Sequence, residues 1–388
     1  MQRNPVVSRR ALLVGMAAVA AGGAAACSGN ERRGPIASPP PTGGGTEATE
    51  SPGPSAAATI GSPVPSTGPP TGDYFPPATG VWDTVTATEA GFSADGLSAV
   101  VDLVGAANSQ SLVILHEGRI VSEQYWMGAT PETTRDLASC QKSVTSTLVG
   151  LARDRGLLQL DDPVSQYLPQ GWTAAAADKE AAITIRHLLT MSSGLDERTL
   201  RATAAPGTVW EYNTAAYQKL RRVLEAAADT DINSLCSEWL FGPLHIDHPT
   251  AWAERPGGER TADAVGDRPW GLNLSARDMA RFGLFAMHNG VWGGEQITAP
   301  GWFAEAWASS PVKRDYGFLW WLLGKGAFRR RGAPADLVAA LGAQDQKVYV
   351  LPSAGLVLAR QGDAAAAVVE AGSDFDAQLI AALLAARA

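Results

Sequence analysis

Cysteine and histidine are scarce in this chain of 388 residues, with three of the first and five of the second. Neither falls at the spacing that a tetrahedral metal site needs, so no metal and no cofactor is expected. Positive charge is also short. Lysine and arginine number 31 against 39 acidic residues, a net charge of -8, which argues against nucleic acid and anionic lipid as partners. No Gly-x-Ser-x-Gly occurs, which removes the nucleophile elbow of one common esterase fold. No Ser-His-Asp order can be assembled either, and His187, on an apolar helical stretch, reads as structural.

Apolar residues make up 45% of the chain, enough for a large core, but the first eighty residues lie outside it. In "SRRALLVGMAAVAAGGAAAC" Arg9 and Arg10 precede an apolar run, and small residues precede Cys27. The run is too short and wrongly flanked for a spanning helix and reads as an export signal over residues 1–26. The arginine pair suits the twin-arginine route. "AAAC" resembles a bacterial lipoprotein signal, with Cys27 as the lipidated first residue. Twelve of the 25 prolines fall between residues 34 and 80. Residues 27–80 therefore carry too little apolar surface to offset ordering entropy, and an extended, unstructured tether is expected. The expected address is the exported, extracytoplasmic cell envelope, with membrane contact through the lipid anchor only. The remaining cysteines, Cys140 and Cys236, read as free, buried thiols.

Residues 81–388 read as one domain. "SADGLSAVVDLVGAA" (93–107) has helical spacing after a Ser93 cap, and 111–126 reads as a hairpin about a Glu-Gly turn. A helix with Asp136 near its start follows. The stretch from about 150 to 310 is mainly helical: 183–195 is a short helix stopped by Gly194, 214–229 a longer one, and 275–290 another, capped by Ser275 and ended by Gly290. Short apolar runs at 316–324, 335–342, 346–352, 354–362 and 364–372 read as strands, before a last helix at 375–387. The expected fold is α/β of the α+β type: an antiparallel sheet with strands from both termini, covered by helices, plus an inserted helical subdomain.

"DLASCQKSVTSTLVG" (136–150) places a serine, a cysteine and a lysine within four positions. On a helix, residues three apart share a face and residues two apart do not. Ser139 and Lys142 therefore share a face, which spacing alone equally allows to be an ordinary serine and an exposed lysine, whereas Cys140 points away and reads as a small core residue. Near the helix start, Ser139 has free backbone N–H groups that favour developing negative charge. A lysine amine buried beside other cations loses its proton near neutral pH and can serve as base. A second Ser-x-x-Lys, Ser310 to Lys313, contains Pro311 and reads as loop.

"SCQKSVTSTLVG", "LDDPVSQYLP", "ITIRHLLTMSSGLD", "PGTVWEYNTAAYQ", "GLNLSARDMARFG" and "DQKVYVLPSAGLVLARQG" follow one another in order. Together they resemble the β-lactamase-related serine hydrolases, which include class C β-lactamases, penicillin-binding D-alanyl-D-alanine carboxypeptidases, esterases and 6-aminohexanoate-dimer hydrolases. The resemblance runs from about residue 82 to the C-terminus and implies the β-lactamase/transpeptidase fold. It puts the nucleophile on Ser139 and the lysine on Lys142. The Tyr-x-Asn motif falls on Tyr212, Asn213 and Thr214, with threonine at the third position. By this resemblance Lys142 and Tyr212 form a proton-transfer pair, and the backbone N–H groups of Ser139 and Ala343 form the oxyanion hole. The strand motif falls on Ala340, Leu341 and Gly342, where only the glycine matches, so the cation used for a substrate carboxylate is missing. Gly342, Asn213 and Trp210 are the expected substrate-binding residues.

Three readings follow. The first is a hydrolase of small-molecule esters or amides acting through an acyl-enzyme. The second is a D-alanyl-D-alanine peptidase or β-lactamase, in which a cation from elsewhere, such as Arg360, replaces the missing one. The third, of another class, is a cell-envelope binding protein whose site has decayed.

Overall fold

A computed structural model describes residues 73–365 and 374–387. The export signal, Cys27 and the tether up to residue 72 lie outside the described residues.

The domain opens with α1 (Ala94–Gly105), β1 (Ser109–His116) and β2 (Arg119–Tyr125). A two-residue strand, β3 (Arg135–Asp136), and a 3-10 turn (Ala138–Cys140) lead into α2 (Gln141–Asp154). The middle holds α3 (Ala177–Ala181), α4 (Ile185–Leu189), α5 (Thr214–Ala228), α6 (Ile232–Cys236), β4 (Trp252–Glu254) and β5 (Trp270–Leu274). After it come α7 (Ala276–Met287), β6 (Val291–Trp292), β7 (Glu295–Gln296) and α8 (Trp302–Ala306). The chain closes with α9 (Ala327–Arg330), β8 (Val338–Gly342), β9 (Gln346–Leu351), β10 (Leu356–Gly362) and α10 (Asp374–Ala385).

The main sheet has five strands in the order β2-β1-β10-β9-β8, each antiparallel to its neighbour. Strands from both ends of the domain thus meet at β1 and β10. Alternate residues face opposite sides. Val113, Leu115, Val348 and Val357 pack with Val144, Leu148, Leu220 and Phe282 of α2, α5 and α7. Leu112, Ile114, Leu351 and Leu358 pack with Val100, Val104, Leu379 and Ile380 of α1 and α10. Both faces are covered, which explains why these strands read as unbroken apolar runs. Among the described residues no helix is long and apolar enough to cross a membrane.

Several boundaries differ from expectation. The run 316–324 is no strand: it makes only single bridges, Tyr316 to Trp321 and Trp321 to Ala339, because its rings fill an aromatic cluster instead of a ladder. Helix α4 ends at Leu189, and Met191 turns left-handed before Gly194 is reached. Asp136 lies in β3, outside any helix. Of the run 364–372, Ala364 and Ala365 are outside any strand and the rest falls outside the described residues. Ordered packing also begins before Trp82. The Tyr74 hydroxyl accepts from Asp83 N at 2.9 Å, and the Phe75 ring lies 4.9 Å from His288. Helix α7, inside the stretch expected to form the helical insertion, packs on β1, β9 and β10.

Candidate active site

Ser139 sits on the 3-10 turn that feeds α2 and is half-buried. The turn starts with Ala138 in left-handed backbone, φ 49°, and Asp136 Oδ1 fixes it by accepting from Ala138 N at 2.8 Å. Arg255 clamps the same carboxylate through Nε at 2.6 Å and Nη2 at 2.9 Å. It also donates to Gln141 Oε1 at 3.1 Å, two positions after Ser139 in the chain.

Lys142, one helical turn on, is 2% exposed. Its Nζ donates to Ser139 Oγ at 3.1 Å and to Thr214 Oγ1 at 3.3 Å, and lies 4.5 Å from the Tyr217 ring centroid and 4.9 Å from that of Tyr212. Burial, reinforced by the positive charge of Arg255 and opposed by Glu197, lowers the amine pKa from 10.5 to about 7. An amine that is half neutral at that pH can accept the proton of a hydroxyl at hydrogen-bond distance.

Tyr212 immediately precedes the cap of α5. Its hydroxyl is sealed from solvent and closes no hydrogen bond of ordinary length, although the Ser139 hydroxyl is near enough to act on it. Burial raises the phenol pKa, although the neighbouring Ser139 hydroxyl pulls the other way. The ring therefore stays a neutral phenol at neutral pH, a proton donor with its place open. Asn213, expected against substrate, is turned inward instead. Its Oδ1 caps α5 by accepting from Ala216 N at 2.7 Å, and its Nδ2 donates to Leu195 O at 2.8 Å. Buried in this way, it holds Tyr212 and Thr214 in place at the start of α5.

Cys140 points away from Lys142. Its thiol donates to Ala340 O and Gln346 O, and burial raises its pKa; it pins the turn to β8 and β9. At the end of β8, a Cβ on Gly342 would stand 2.4 Å from Leu137 O and 3.1 Å from Cys140 N. Only glycine allows that approach. The step into Ala343 is thereby brought against the Ser139 turn, and Ala343 itself is exposed. Ala340 is buried on the same strand.

Trp210, Tyr212, Tyr316 and Trp321 form an aromatic wall beside Lys142, with Tyr212 stacked on Trp321 and Tyr316 edge-on to Trp321 at 5.0 Å. Lys313 lies over Trp210 at 4.7 Å and pairs with Asp315 at 3.1 Å. Ser310 and Lys313 share a tight turn in which Lys313 N donates to Ser310 Oγ at 3.0 Å, so this second Ser-x-x-Lys is a loop. His187 caps α4 through Thr184, a structural role. Arg360, the expected substitute cation, cannot face a substrate: it is fully buried with every N–H donated inside the fold. Arg255 and Tyr217 carry no recognisable signal in the sequence. Arg255 lies 119 positions from Asp136, and no local pattern links the two.

The β-lactamase family model matches residues 97–382. The 6-aminohexanoate-dimer hydrolase of Paenarthrobacter ureafaciens is 22% identical over 295 residues, 65% of this chain and 72% of that protein. Among solved structures, the D-alanine carboxypeptidase AmpC of Burkholderia cenocepacia superposes with a TM-score of 0.55 at 18% identity, covering 75% of this chain and 99% of that one. EstCE1, a hydrolase with promiscuous acyltransferase activity, superposes with a TM-score of 0.59 at 18% identity, covering 74% and 98%. These structures share one fold and carry different activities.

Proposed function

The chain belongs to the β-lactamase family, and from that premise we propose that it is a serine hydrolase of uncharged esters or amides, acting through an acyl-enzyme on Ser139. The observation that carries this reading is a buried amine with a pKa of about 7, set 3.1 Å from the Ser139 hydroxyl. Neutral Lys142 takes the Ser139 proton as Oγ attacks the acyl carbon. The carbonyl oxygen becomes an oxyanion, held by the N–H groups of Ser139 and Ala343. The Tyr212 phenol gives its proton to the leaving group and regains one from the Lys142 ammonium. Water, activated by the same pair, then releases the acid and restores Ser139.

Substrate choice follows from charge. A β-lactam or D-alanyl terminus carries a carboxylate, which is costly to desolvate without a fixed cation. Ala340 offers no side-chain donor, Arg360 is fully engaged inside the fold, and Lys313 and Arg255 are already paired with aspartates. Neutral p-nitrophenyl acyl esters should be hydrolysed readily, and nitrocefin and D-alanyl-D-alanine peptides poorly. A phosphonate probe should label the protein; Ser139→Ala should abolish labelling and turnover, and Cys140→Ala should keep both. An unlabelled wild-type protein would favour a decayed binding protein. Efficient nitrocefin turnover lost in Ser139→Ala would favour the lactamase reading. The N-terminal pattern supports an exported lipoprotein anchored through Cys27. Cys27→Ser should move the protein out of the membrane fraction, and unchanged membrane association would count against the anchor.

A further inference from the structure

The turn after β8 is strained, yet it follows directly on the proposed oxyanion donor. Gln344 and Asp345 both adopt left-handed backbone, φ 58° and 60°, and neither is glycine. Such conformations persist only where the surroundings over-determine them. Arg360 of β10 approaches from beneath the turn. Its Nη1 donates to the carbonyls of Gln344 and Asp345, each at 2.9 Å. Its Nη2 donates to Ala107 O at 2.7 Å and Asp363 O at 2.8 Å, and its Nε to Ser109 Oγ at 2.9 Å. All five N–H groups of a fully buried guanidinium are thus used. The Asp345 carboxylate accepts from Lys347 Nζ at 2.8 Å and from Ala365 N at 2.9 Å. Lys347 Nζ also pairs with Asp376 of α10 at 2.7 Å. On the open side, Arg135, which precedes the Ser139 turn, donates to Gln344 Oε1 at 2.8 Å.

We propose that Arg360, with the Asp345–Lys347 pair, is a positioning residue that aims the Ala343 N–H at the oxyanion. This rests on the serine-hydrolase reading of Ser139. A buried guanidinium is costly unless every donor is met, and an apolar residue of similar size would fill the space while leaving both turn carbonyls unpaired. The planar fork is what matters: it spans the turn on one side and the start of β1 on the other. A lysine keeps the charge but cannot span both. Displacing an oxyanion donor affects the tetrahedral species, not the ground-state complex.

The test compares full-length wild-type protein with Arg360→Lys and with Asp345→Asn, which is isosteric and should disturb packing least. Three quantities are measured: kcat and KM on a p-nitrophenyl ester, inhibition by an alkyl boronic acid that forms a tetrahedral adduct with the Ser139 oxygen, and the pH profile. In Arg360→Lys, kcat and boronate affinity should fall together, by on the order of 10²-fold. KM and the acid limb of the pH profile should stay in place, and Asp345→Asn should show a smaller parallel loss. A folded Arg360→Lys with unchanged kcat and boronate affinity would overturn the proposal. So would a change confined to KM, or a shifted acid limb. If Arg360→Lys does not fold, Asp345→Asn decides by the same criteria. Failure of the underlying reading is seen separately, as a wild-type protein that no phosphonate labels.

Discussion

The burial that suits Lys142 to its proposed role as base works against stability. Its amine has a pKa of about 7 in the folded chain, against an ordinary 10.5. Between these values the unfolded chain holds a proton that the folded chain has released. The penalty on folding is therefore complete below about pH 7 and fades as pH rises towards 10.5. Lys142→Met keeps the length and removes the charge. It should abolish turnover and raise stability at neutral pH by up to a few kcal/mol, measured by urea denaturation at pH 7, with a smaller gain at pH 10. A loss of stability at pH 7 would mean that the amine's contacts outweigh its burial. The same residue sets a kinetic limb. In the proposed mechanism the neutral amine is the working form, so kcat/KM should climb with pH through about 7, and a flat profile from pH 5 to 9 would remove Lys142 as the base.

At the scale of elements, the site depends on β8 lying backbone to backbone against the Ser139 turn. The atom nearest a Cβ on Gly342 is Leu137 O, a main-chain atom that no rotamer change can move. Gly342→Ala should therefore push the strand back, cost roughly 1–3 kcal/mol of stability and lower kcat/KM by on the order of 10²-fold. Steady-state kinetics beside a denaturation curve would check this, and near-normal kcat/KM would show that the approach is not critical. The elements legible in the sequence are those with local signals. Ser93 and Ser275 cap α1 and α7, and β8 to β10 are apolar runs separated by turns. The run 316–324 was equally apolar but serves a ring cluster, a distinction that hydrophobicity alone does not carry. The proximity of Ser139 and Lys142 was legible because one helical turn brings them together, and their proposed roles only through the six ordered blocks that carry the family resemblance. Arg255 and the inward turn of Asn213 were not, since both depend on partners distant along the chain or across a cap.

For the whole molecule, the sheet joins β1 to β10, so the domain is closed by segments from its two ends. An N-terminal strap adds to that closure. By composition residues 73–80 read as the end of the proline-rich tether, with Pro76 and Pro77 among them, yet the adjacent aromatics Tyr74 and Phe75 set this segment apart. The Tyr74 ring lies 4.6 Å beneath the Arg119 guanidinium at the start of β2, and the Phe75 ring lies 5.2 Å from Trp292 of β6. Arg281 of α7 donates to Pro76 O at 3.2 Å and Pro77 O at 2.9 Å. The strap thus ties the first hairpin to the helix that covers the sheet. None of these partners belongs to the Ser139, Lys142 and Tyr212 group, so the strap should affect stability and leave the chemistry alone. A chain beginning at Asp73 should unfold in urea like one carrying the full tether. A chain beginning at Thr79 loses two packed aromatics and the Pro76 and Pro77 acceptors of Arg281, and should be less stable by roughly 2–4 kcal/mol. Its kcat, measured well below its melting temperature, should be unchanged. Equal stability of the two shortened chains would return Tyr74 and Phe75 to the tether, and a fall in kcat without a fall in stability would tie the strap to the active site instead.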